Sequence, residues 1–456
     1  ENKMVVYSEG AYKVYNPAAK IGDVFYLTLQ EAIDAAVNGD VITFVNDVNE
    51  DVTVAQAPDV KITIDGADKK MYGTITVDGK SARYATAGLH IKNVKFDATV
   101  GISADACINL GVSGNNNTRY TNNVTVENCT FTDDDYSTVA VKSYTGGDWN
   151  LQIINCTAEG MHSLAQLANV EQGLVISGNT ANTKNGINLN QTAVGTIEGN
   201  IINVKGYAVR AGVDGSNGGN ITLTNNTLKT DNTEGDPVIE LRGTVVALNM
   251  EKNVVSGNTH IKGTAGTISV DANYWDGKEA PVVAEGSAPI VVNSYYSDAT
   301  LSTLVRNEMG SIYAFVSSDR IFGDVTTNAE ESIKIEIIGK DGNVIGTSSL
   351  ENLSYATGFN KQLTWRINLG DDDSDSWAMA WNTGAPSINN MPTKVKLYVD
   401  AKEGDAAVAE AEIKYTANGD GQSPVFAAKT NAEGKINSFI ACTGEYNLNN
   451  AANKLV

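Results

Sequence analysis

The amino-acid sequence predicts an all-β protein, in which a β-solenoid occupies roughly the first 300 residues and an antiparallel β-sandwich follows. The first observation is a short phrase that recurs every 20 to 27 residues: two alternating apolar residues, a polar residue, Asn or Gly, and then Cys or Asn. The second is the composition, with 43 Gly, only 8 Pro and 19% charged residues, which suits short strands joined by tight turns. The third is the period-two alternation of apolar residues after the repeats end.

The repeated phrase defines the coils of the predicted solenoid. Its final Cys or Asn falls at Cys129, Cys156, Asn179, Asn200, Asn226, Asn253 and Asn273. In a solenoid, successive coils stack about 4.8 Å apart, so like residues form ladders. The Asn or Gly before each ladder position is expected to adopt the left-handed backbone that a sharp corner needs. Leucine-rich repeats share the period, but their regularly spaced leucines are missing.

The coils resemble the right-handed, single-stranded parallel β-helix of the pectin-lyase-like superfamily. The similarity lies in the runs VENCTF, IINCTAEG and VISGNTANT, which begin at Val126, Ile153 and Val175. In that family an asparagine ladder lies at the short turn between the second and third sheets. The resemblance covers about residues 20–300. It implies this fold and a saccharide groove on the outer face of the first sheet, but it does not imply a particular activity.

Both ends of the predicted β-helix carry capping signals. Residues 28–42 resemble the family's N-terminal cap, and their own pattern predicts a helix at about residues 28–38. Thr28 would be its N-cap, Glu31 would complete a capping box and Gly39 would stop it. Asn273-Tyr274-Trp275 resembles a closing coil, where bulky aromatic rings plug the other end. We therefore predict a β-helix domain over residues 1–308, with coils at about 41–295.

The remaining residues, 309–456, are predicted to form the β-sandwich, of immunoglobulin-like or carbohydrate-module type. Strand-like alternation occurs in residues 332–338, 362–369, 377–381, 394–400 and 407–415. The sequence Lys340-Asp341-Gly342-Asn343 between two of these segments is typical of a hairpin turn.

Charge and composition exclude several classes of function. With 54 acidic and 33 basic residues the formal net charge is −21, which argues against a general nucleic-acid binder and against an anionic membrane surface. No apolar run reaches the roughly 18 residues that a membrane-spanning helix requires. Four cysteines are too few for a disulfide scaffold. The architecture instead predicts a monomer that is secreted or exposed at a cell surface.

The candidate ligand-binding residues lie on the next strand of each coil. In the family that the coils resemble, this strand belongs to the first sheet. Period two sends Val141, Leu189, Val209, Leu241 and Ile261 inward. Lys142, Asn190, Arg210, Arg242 and Lys262 then form one outward column. A second outward column is predicted to contain Ala140, Asn188, Ala208, Glu240 and His260. The polar members of both columns are the candidate ligand-binding residues: Lys142, Asn188, Asn190, Arg210, Glu240, Arg242, His260 and Lys262.

This mainly basic stripe, on an acidic protein, favours an anionic ligand such as a uronate-containing glycan, because arginine binds carboxylates in a bidentate manner. The alternative is that the cations are simply the solvated residues of an exposed strand face.

Catalysis has weaker support in the sequence. A β-helix lyase would need an Arg or Lys base and, commonly, calcium held by acids; Asp133, Asp134 and Asp135 could supply such acids, or form a plain acidic loop. A glycosidase needs two carboxylates across the sugar ring, and the outward columns offer only Glu240. We therefore expect a non-catalytic protein without a cofactor, and keep calcium as an option.

Tryptophans and cysteines leave two further alternatives open. Trp377 and Trp381 share one strand face and Trp365 lies on a neighbouring segment, so these rings form either a sugar-binding platform or the core of the second domain. Cys129 and Cys156 occupy equivalent positions one coil apart, close enough for a disulfide, although stacked apolar thiols are the simpler interpretation.

Together these observations predict a secreted or cell-surface protein that binds glycans, in the manner of an adhesin, without catalysis. A polysaccharide lyase or glycoside hydrolase acting on acidic polysaccharide is the first alternative. A structural stalk or spacer of the cell surface is the second.

Overall fold

A computed structural model describes residues 3–79, 86–102, 105–111, 120–143, 147–190, 193–212, 217–231, 233–287, 289–317, 320–329, 331–351, 361–368, 380–382, 390–402, 404–414, 426–427 and 440–441. The chain forms two compact units, Glu1–Val305 and Arg306–Val456.

The first unit is a parallel β-helix built from three long sheets, here called sheets I, II and III. Along each coil the chain passes from sheet I to sheet II and then to sheet III, and two coils give sheet I an additional short strand, Tyr120–Asn122 and Gly147–Trp149. Pairing is parallel throughout these sheets, except that Ala19–Ile21 pairs antiparallel with both of its neighbours in sheet I. The predicted β-helix is thereby confirmed.

Neighbouring strands of each sheet come from successive coils, except that Val24–Tyr26 lies at the edge of sheet I beyond Ala19–Ile21. Sheet I contains Ala19–Ile21, Val24–Tyr26, Val41–Phe44, Lys61–Asp65, Gly88–Lys92, Tyr120–Asn122, Val124–Glu127, Gly147–Trp149, Gln152–Ile154, Val170–Ser177, Ala193–Glu198, Asn217–Thr224, Thr244–Glu251 and Ala265–Ser269. Sheet II contains Lys70–Met71, Lys95–Asp97, Thr130–Thr132, Thr157–Glu159, Thr180–Thr183, Ile201–Val204, Thr227–Thr230 and Val254–Ser256. Sheet III contains Val52–Ala55, Ile75–Asp78, Ala106–Leu110, Val139–Ser143, Ser163–Leu167, Asn185–Leu189, Val209–Ala211, Ile239–Leu241 and Ile261–Lys262.

The corner between sheets I and II has the left-handed backbone that the repeat predicts. The residue before each ladder position has positive φ, for example 51° at Asn128 and 66° at Gly178. Two coils place less suitable residues there, Lys252 at 57° and Ala272 at 53°. Asn and Gly recur at this position because they adopt this conformation at least cost.

Behind this corner, five asparagines form a buried ladder. Each is at most 1% exposed: Asn179, Asn200, Asn226, Asn253 and Asn273. The side-chain oxygen of Asn226 accepts the backbone N–H of Asn200 at 3.0 Å and its side-chain Nδ2 at 2.9 Å. The Asn226 amide in turn donates to Ile197 O and to Asn253 Oδ1. Each side chain thus satisfies backbone groups of a corner that has no sheet partners of its own.

The interior of the β-helix is filled by in-register aliphatic ladders. The longest runs along sheet I and pairs, coil by coil, Ile42, Ile64, Ile91, Val126, Ile153, Ile176, Ile197, Leu223 and Met250. Every member is buried. Sheet II adds the stacked rings of Phe96 and Phe131, whose centroids are 5.1 Å apart.

The N-terminal cap helix, Leu29–Ala35, has the predicted capping box, with Thr28 Oγ1 accepting the N–H of Glu31. It buries Leu29, Ala32 and Ile33 against the first coils. The helix is shorter than residues 28–38, because the chain is already extended at Ala36, so the predicted stop at Gly39 is wrong. Near the other end, Trp275 is fully buried in the β-helix core. Three short pieces complete this part of the chain: the hairpin Met4–Ser8 and Ala11–Tyr15, and the strands Ser294–Tyr296 and Leu304–Arg306.

The second unit contains one eight-stranded sheet around its own core. In hydrogen-bonding order the strands are Lys361–Asn368, Arg320–Thr327, Gly310–Ser317, Ala409–Lys414, Pro392–Val399, Ser332–Gly339, Val344–Glu351 and Ala380–Trp381. The predicted hairpin turn joins two of them, with Gly342 at φ 85°. This arrangement differs from the expected antiparallel sandwich in two ways. Strand pairing is continuous through all eight strands, and Gly310–Ser317 pairs with Ala409–Lys414 in parallel. A further pair is Phe426–Ala427 with Ile440–Ala441.

Candidate functional site

The outward face of sheet III carries one polar row across successive coils. Its in-register members are Asn109, Lys142, Gln166, Asn188, Arg210, Glu240 and Lys262. We call this set the sheet III row. Five of the eight predicted ligand-binding residues lie in it: Lys142, Asn188, Arg210, Glu240 and Lys262.

The predicted columns are wrong in register. Asn190 and Arg242 lie two residues beyond the row, where their backbone N–H groups bond to Leu167 O and Ala211 O. The sequence could not reveal this shift, because a slip of two residues preserves the inside–outside alternation. Gln166 was missed for the same reason: several alignments of residues 164–167 keep an apolar residue inward.

The second predicted outward column does not exist as such. Ala140 and Ala208 belong to the buried core, and His260 is fully buried against Trp275, with ring centroids 5.6 Å apart. Ala208 and His260 directly precede their sheet III strands and Ala140 is the second residue of its strand, so strict alternation fails where the chain enters sheet III. His260 is therefore corrected from a ligand-binding candidate to a core residue.

Glu240 is the centre of an ion cluster on the sheet III row. Its side chain is only 3% exposed, and Arg210 Nε lies 2.5 Å from Oε2. Arg242 Nε and Lys262 Nζ lie 3.2 and 3.4 Å from Oε1. Three of the predicted cations thus converge on one buried carboxylate, which the sequence had placed in a different column.

Electrostatics within this cluster are largely balanced. Burial by itself would raise the pKa of Glu240, but Arg210 and Arg242 outweigh it and the net shift is downward, so Glu240 stays ionised. Asp236 lies 3.9 Å from Arg210, and the guanidinium of Arg210 stacks 3.6 Å from the ring of Tyr207. Lys142, at the other end of the row, pairs with Asp105. The basic stripe is therefore mostly compensated by local acids.

The sheet III row is also recessed. Asn188, Asn109 and Glu240 are 6%, 8% and 2% exposed, although they point away from the core. Lys142, Gln166 and Arg210 are half-buried, and Lys262 is exposed. The hydrogen-bond donors and acceptors of this row therefore lie slightly below the surrounding protein surface. This arrangement suits an extended polar ligand better than a flat apolar partner.

His260 has an unusual environment for a titratable group. Its Nδ1 accepts the backbone N–H of Val282 at 2.9 Å, which places the proton of the neutral ring on Nε2. Burial, reinforced by Lys278 and partly opposed by Asp276, lowers the pKa of His260 to about 4.

The acidic loop predicted as a calcium option is built around Asp133. The three carboxylates of residues 133–135 approach within 4.8 Å of one another. Asp133 is 6% exposed and accepts the N–H groups of Asp134 and Thr138, both at 2.9 Å. These hydrogen bonds account for its burial as a loop-closing side chain.

The tryptophans of the second unit are core residues where the structure describes them. Trp365 is fully buried and Trp381 is 6% exposed, both within the apolar core. The predicted sugar platform is therefore wrong for these two rings. Trp377 lies outside the described residues.

Cys129 and Cys156 continue the asparagine ladder as free, buried thiols. The backbone N–H of Cys156 bonds to Asn179 Oδ1, as an asparagine at that position would. Burial raises the pKa of Cys129 well above its usual value. The two cysteines thus fit the simpler interpretation of stacked apolar side chains.

Within the part of the chain that the structure describes, no helix is long and apolar enough to cross a membrane. No protein-family model and no curated protein matches the sequence. Among solved structures, the chain is similar to the Dettilon tailspike protein, with 12% identity over 71% of this chain and 83% of that one and a TM-score of 0.23. It is also similar to a mutant tailspike protein of E. coli bacteriophage HK620, with 11% identity over 74% and 88% and a TM-score of 0.29. At these values the comparisons carry no functional inference, and the β-helix assignment rests on the sheets described above.

Proposed function

We propose that the β-helix unit is a non-catalytic, polysaccharide-binding protein that is secreted or exposed at a cell surface, and that the sheet III row is its binding face. The observation that carries this proposal is the register of the row, which aligns amide and charged groups of consecutive coils. A polysaccharide repeats hydroxyl groups along an extended chain, so a row of donors and acceptors spaced by about 4.8 Å can meet several sugar units at once.

The charge balance of the row refines the expected ligand. Arg210, Arg242 and Lys262 face Glu240 and Asp236, three positive against two negative charges. Only one net positive charge remains, so recognition rests on hydroxyl groups more than on carboxylates. We propose a neutral or weakly acidic polysaccharide rather than a strongly anionic one.

The enzymatic alternative has less support at this site. Glu240 stays ionised and is bound by three cations, which makes it a poor proton donor. The polar row therefore favours binding without turnover.

Affinity electrophoresis of the intact chain tests the proposal, with dextran, glucomannan, alginate or polygalacturonate in the gel. The test variant is Gln166→Ala, which removes an uncharged, half-buried member of the row. One lost hydrogen bond of about 1 kcal/mol weakens binding roughly fivefold. Asn203→Ala, an outward amide on sheet II that bonds only Asn182 among the contacts described, is the matched control and should bind as the wild type.

The proposal is supported if at least one polymer retards the wild type, and if Gln166→Ala reduces this retardation while Asn203→Ala does not. Equal behaviour of the two variants would show that sheet III is not the binding face. Release of shorter saccharides from a retained polymer would make the protein an enzyme, and indifference to every polymer would favour the structural spacer.

A further inference from the structure

An exposed aromatic pair lies on the outer face of the second unit, in a place that the tryptophan pattern did not indicate. In strand Gly310–Ser317, Ile312 and Ala314 point into the core, so Tyr313 and Phe315 point outward. Tyr313 is 47% exposed, and Phe315 is half-buried. Their rings are nearly parallel, at 10°, with centroids 6.0 Å apart. The two rings therefore lie side by side as one apolar patch on the outward face of this strand.

A carboxylate with a fixed orientation borders this patch. Asp324 lies directly opposite Tyr313 on the next strand, and Thr364 lies opposite Asp324 on the strand after that. Tyr313 Oη donates to Asp324 Oδ2 at 2.9 Å, and Thr364 Oγ1 donates to Oδ1 at 2.7 Å. Each carboxylate oxygen can accept a second hydrogen bond. Two acceptors are thus held in position beside an aromatic ring before any ligand arrives.

Charged groups border the patch on its other side. Strand Ala409–Lys414 pairs in parallel with the aromatic strand, so that Phe315 is level with Lys414. Glu412, two residues earlier, lies beside Tyr313 on the same outward face, and both Glu412 and Lys414 are exposed. Tyr313 therefore has a carboxylate on each side, Asp324 on one neighbouring strand and Glu412 on the other.

From this arrangement we propose a second carbohydrate site, independent of the sheet III row, in which Tyr313 and Phe315 contact the apolar C–H face of a sugar ring and Asp324 accepts hydrogen bonds from its hydroxyl groups. A pyranose ring has both surfaces at once: axial C–H groups on its faces and hydroxyl groups at its rim. The fixed carboxylate lowers the ordering cost of binding. A protein partner fits less well, because a stable interface buries about 1,200 Å² or more with an apolar centre, whereas charges lie immediately beside these two rings.

Isothermal titration of the intact chain with cellohexaose, mannohexaose and galactohexaose tests this site. Tyr313→Ala should weaken binding of the recognised hexasaccharide at least tenfold, since it removes both the exposed ring and the donor that orients Asp324. Asp324→Asn keeps both rings and should weaken binding about threefold. Far-UV circular dichroism of both variants should match the wild type, because both positions are on the outer face.

Tyr398→Ala is the matched control within the same sheet. Tyr398 also donates to a carboxylate, Glu336 Oε2 at 2.8 Å, but Lys334 Nζ covers its ring at 4.1 Å and no second ring is beside it among the described contacts. Its loss should change affinity less than twofold. Because the proposed site lies wholly in the second unit, Gln166→Ala should not change its affinity for the hexasaccharide. The proposal for this site and the proposal for the sheet III row can therefore be contradicted separately.

Three results would overturn the second site. They are no binding of any of the three hexasaccharides by the wild type, equal affinity of Tyr313→Ala and the wild type, and self-association of the wild type that Tyr313→Ala abolishes in sedimentation. The last result would identify the rings as a contact between copies of the chain.

Discussion

Arg210 Nε donates to Glu240 Oε2 over 2.5 Å, between neighbouring coils of the β-helix, and the acceptor side chain is only 3% exposed. Glu240 therefore neutralises one of the predicted ligand-binding cations. The pair links consecutive coils on the outside of the sheet, where the aliphatic ladders do not reach. Its first role is thus structural, and it orients Arg210 towards the rest of the sheet III row.

Replacing Glu240 by Gln should destabilise the β-helix. The substitution keeps the size of the side chain but leaves Arg210, Arg242 and Lys262 without their common counter-charge. Breaking a fully buried pair costs about 3–5 kcal/mol, and since the cations are partly exposed we expect about 2 kcal/mol. Urea unfolding measures this loss. Glu159→Gln, at an exposed site on sheet II that accepts from Asn182, should change the free energy of unfolding by less than about 0.5 kcal/mol; an equal loss in both variants would contradict the prediction.

His260 should make the stability of the β-helix depend on pH. Its pKa falls from 6.5 to about 4 in the folded chain, so between these values the unfolded chain binds a proton that the folded chain does not. Stability should therefore decrease as the pH falls from 6.5 to about 4, by at most about 3 kcal/mol, and His260 should add no further slope below that.

The measurement is a series of urea unfolding curves over this pH range for the wild type and for His260→Asn. Asparagine can still accept the N–H of Val282 but does not titrate. The difference between the two series isolates the contribution of His260 from those of the other titratable groups. If the free energy of unfolding changed with pH in the same way in both proteins, His260 would titrate alike in the folded and unfolded chains, and the prediction would be wrong.

The asparagine ladder should be the least replaceable polar feature of the fold. Asn226→Ala removes four hydrogen bonds, and it takes the side-chain acceptor from the buried N–H of Asn200 and the side-chain donor from the carbonyl of Ile197. Each such group costs about 1–3 kcal/mol, so we expect a loss of about 3 kcal/mol or more. Thermal and urea unfolding measure it. Asn203→Ala, which removes one exposed amide pair, is the control; a similar small loss in both would mean that water replaces the ladder.

Much of the architecture could be predicted from local pattern alone. The ladder asparagines, the left-handed corners before them and the capping box at Thr28 each depend on residues a few positions apart, and the structure has all three. The stop at Gly39 failed for a local reason as well, because the chain is already extended at Ala36 and a glycine beyond that point has no helix to end.

The candidate sites were much less predictable. Period-two alternation correctly identified Arg210, Arg242 and Lys262 as outward residues of neighbouring coils, but it could not show that Glu240 lies between them in space. Tyr313 and Phe315 carried no signal that distinguished them from the tryptophans, since an alternating strand does not reveal which of its faces is the core.

The repeat, the direction of most side chains relative to the β-helix and the identity of its ladders follow from the amino-acid sequence, because these depend on short-range backbone preferences and on alternation. The register of sheet III, the burial of His260, Trp365 and Trp381, and the partners of the basic stripe depend on how distant parts of the chain pack together. Register changes by two residues leave the alternation unchanged, and burial depends on which coil or strand covers a side chain. These are distances between residues about 20 to 40 positions apart in the chain, which no local pattern encodes.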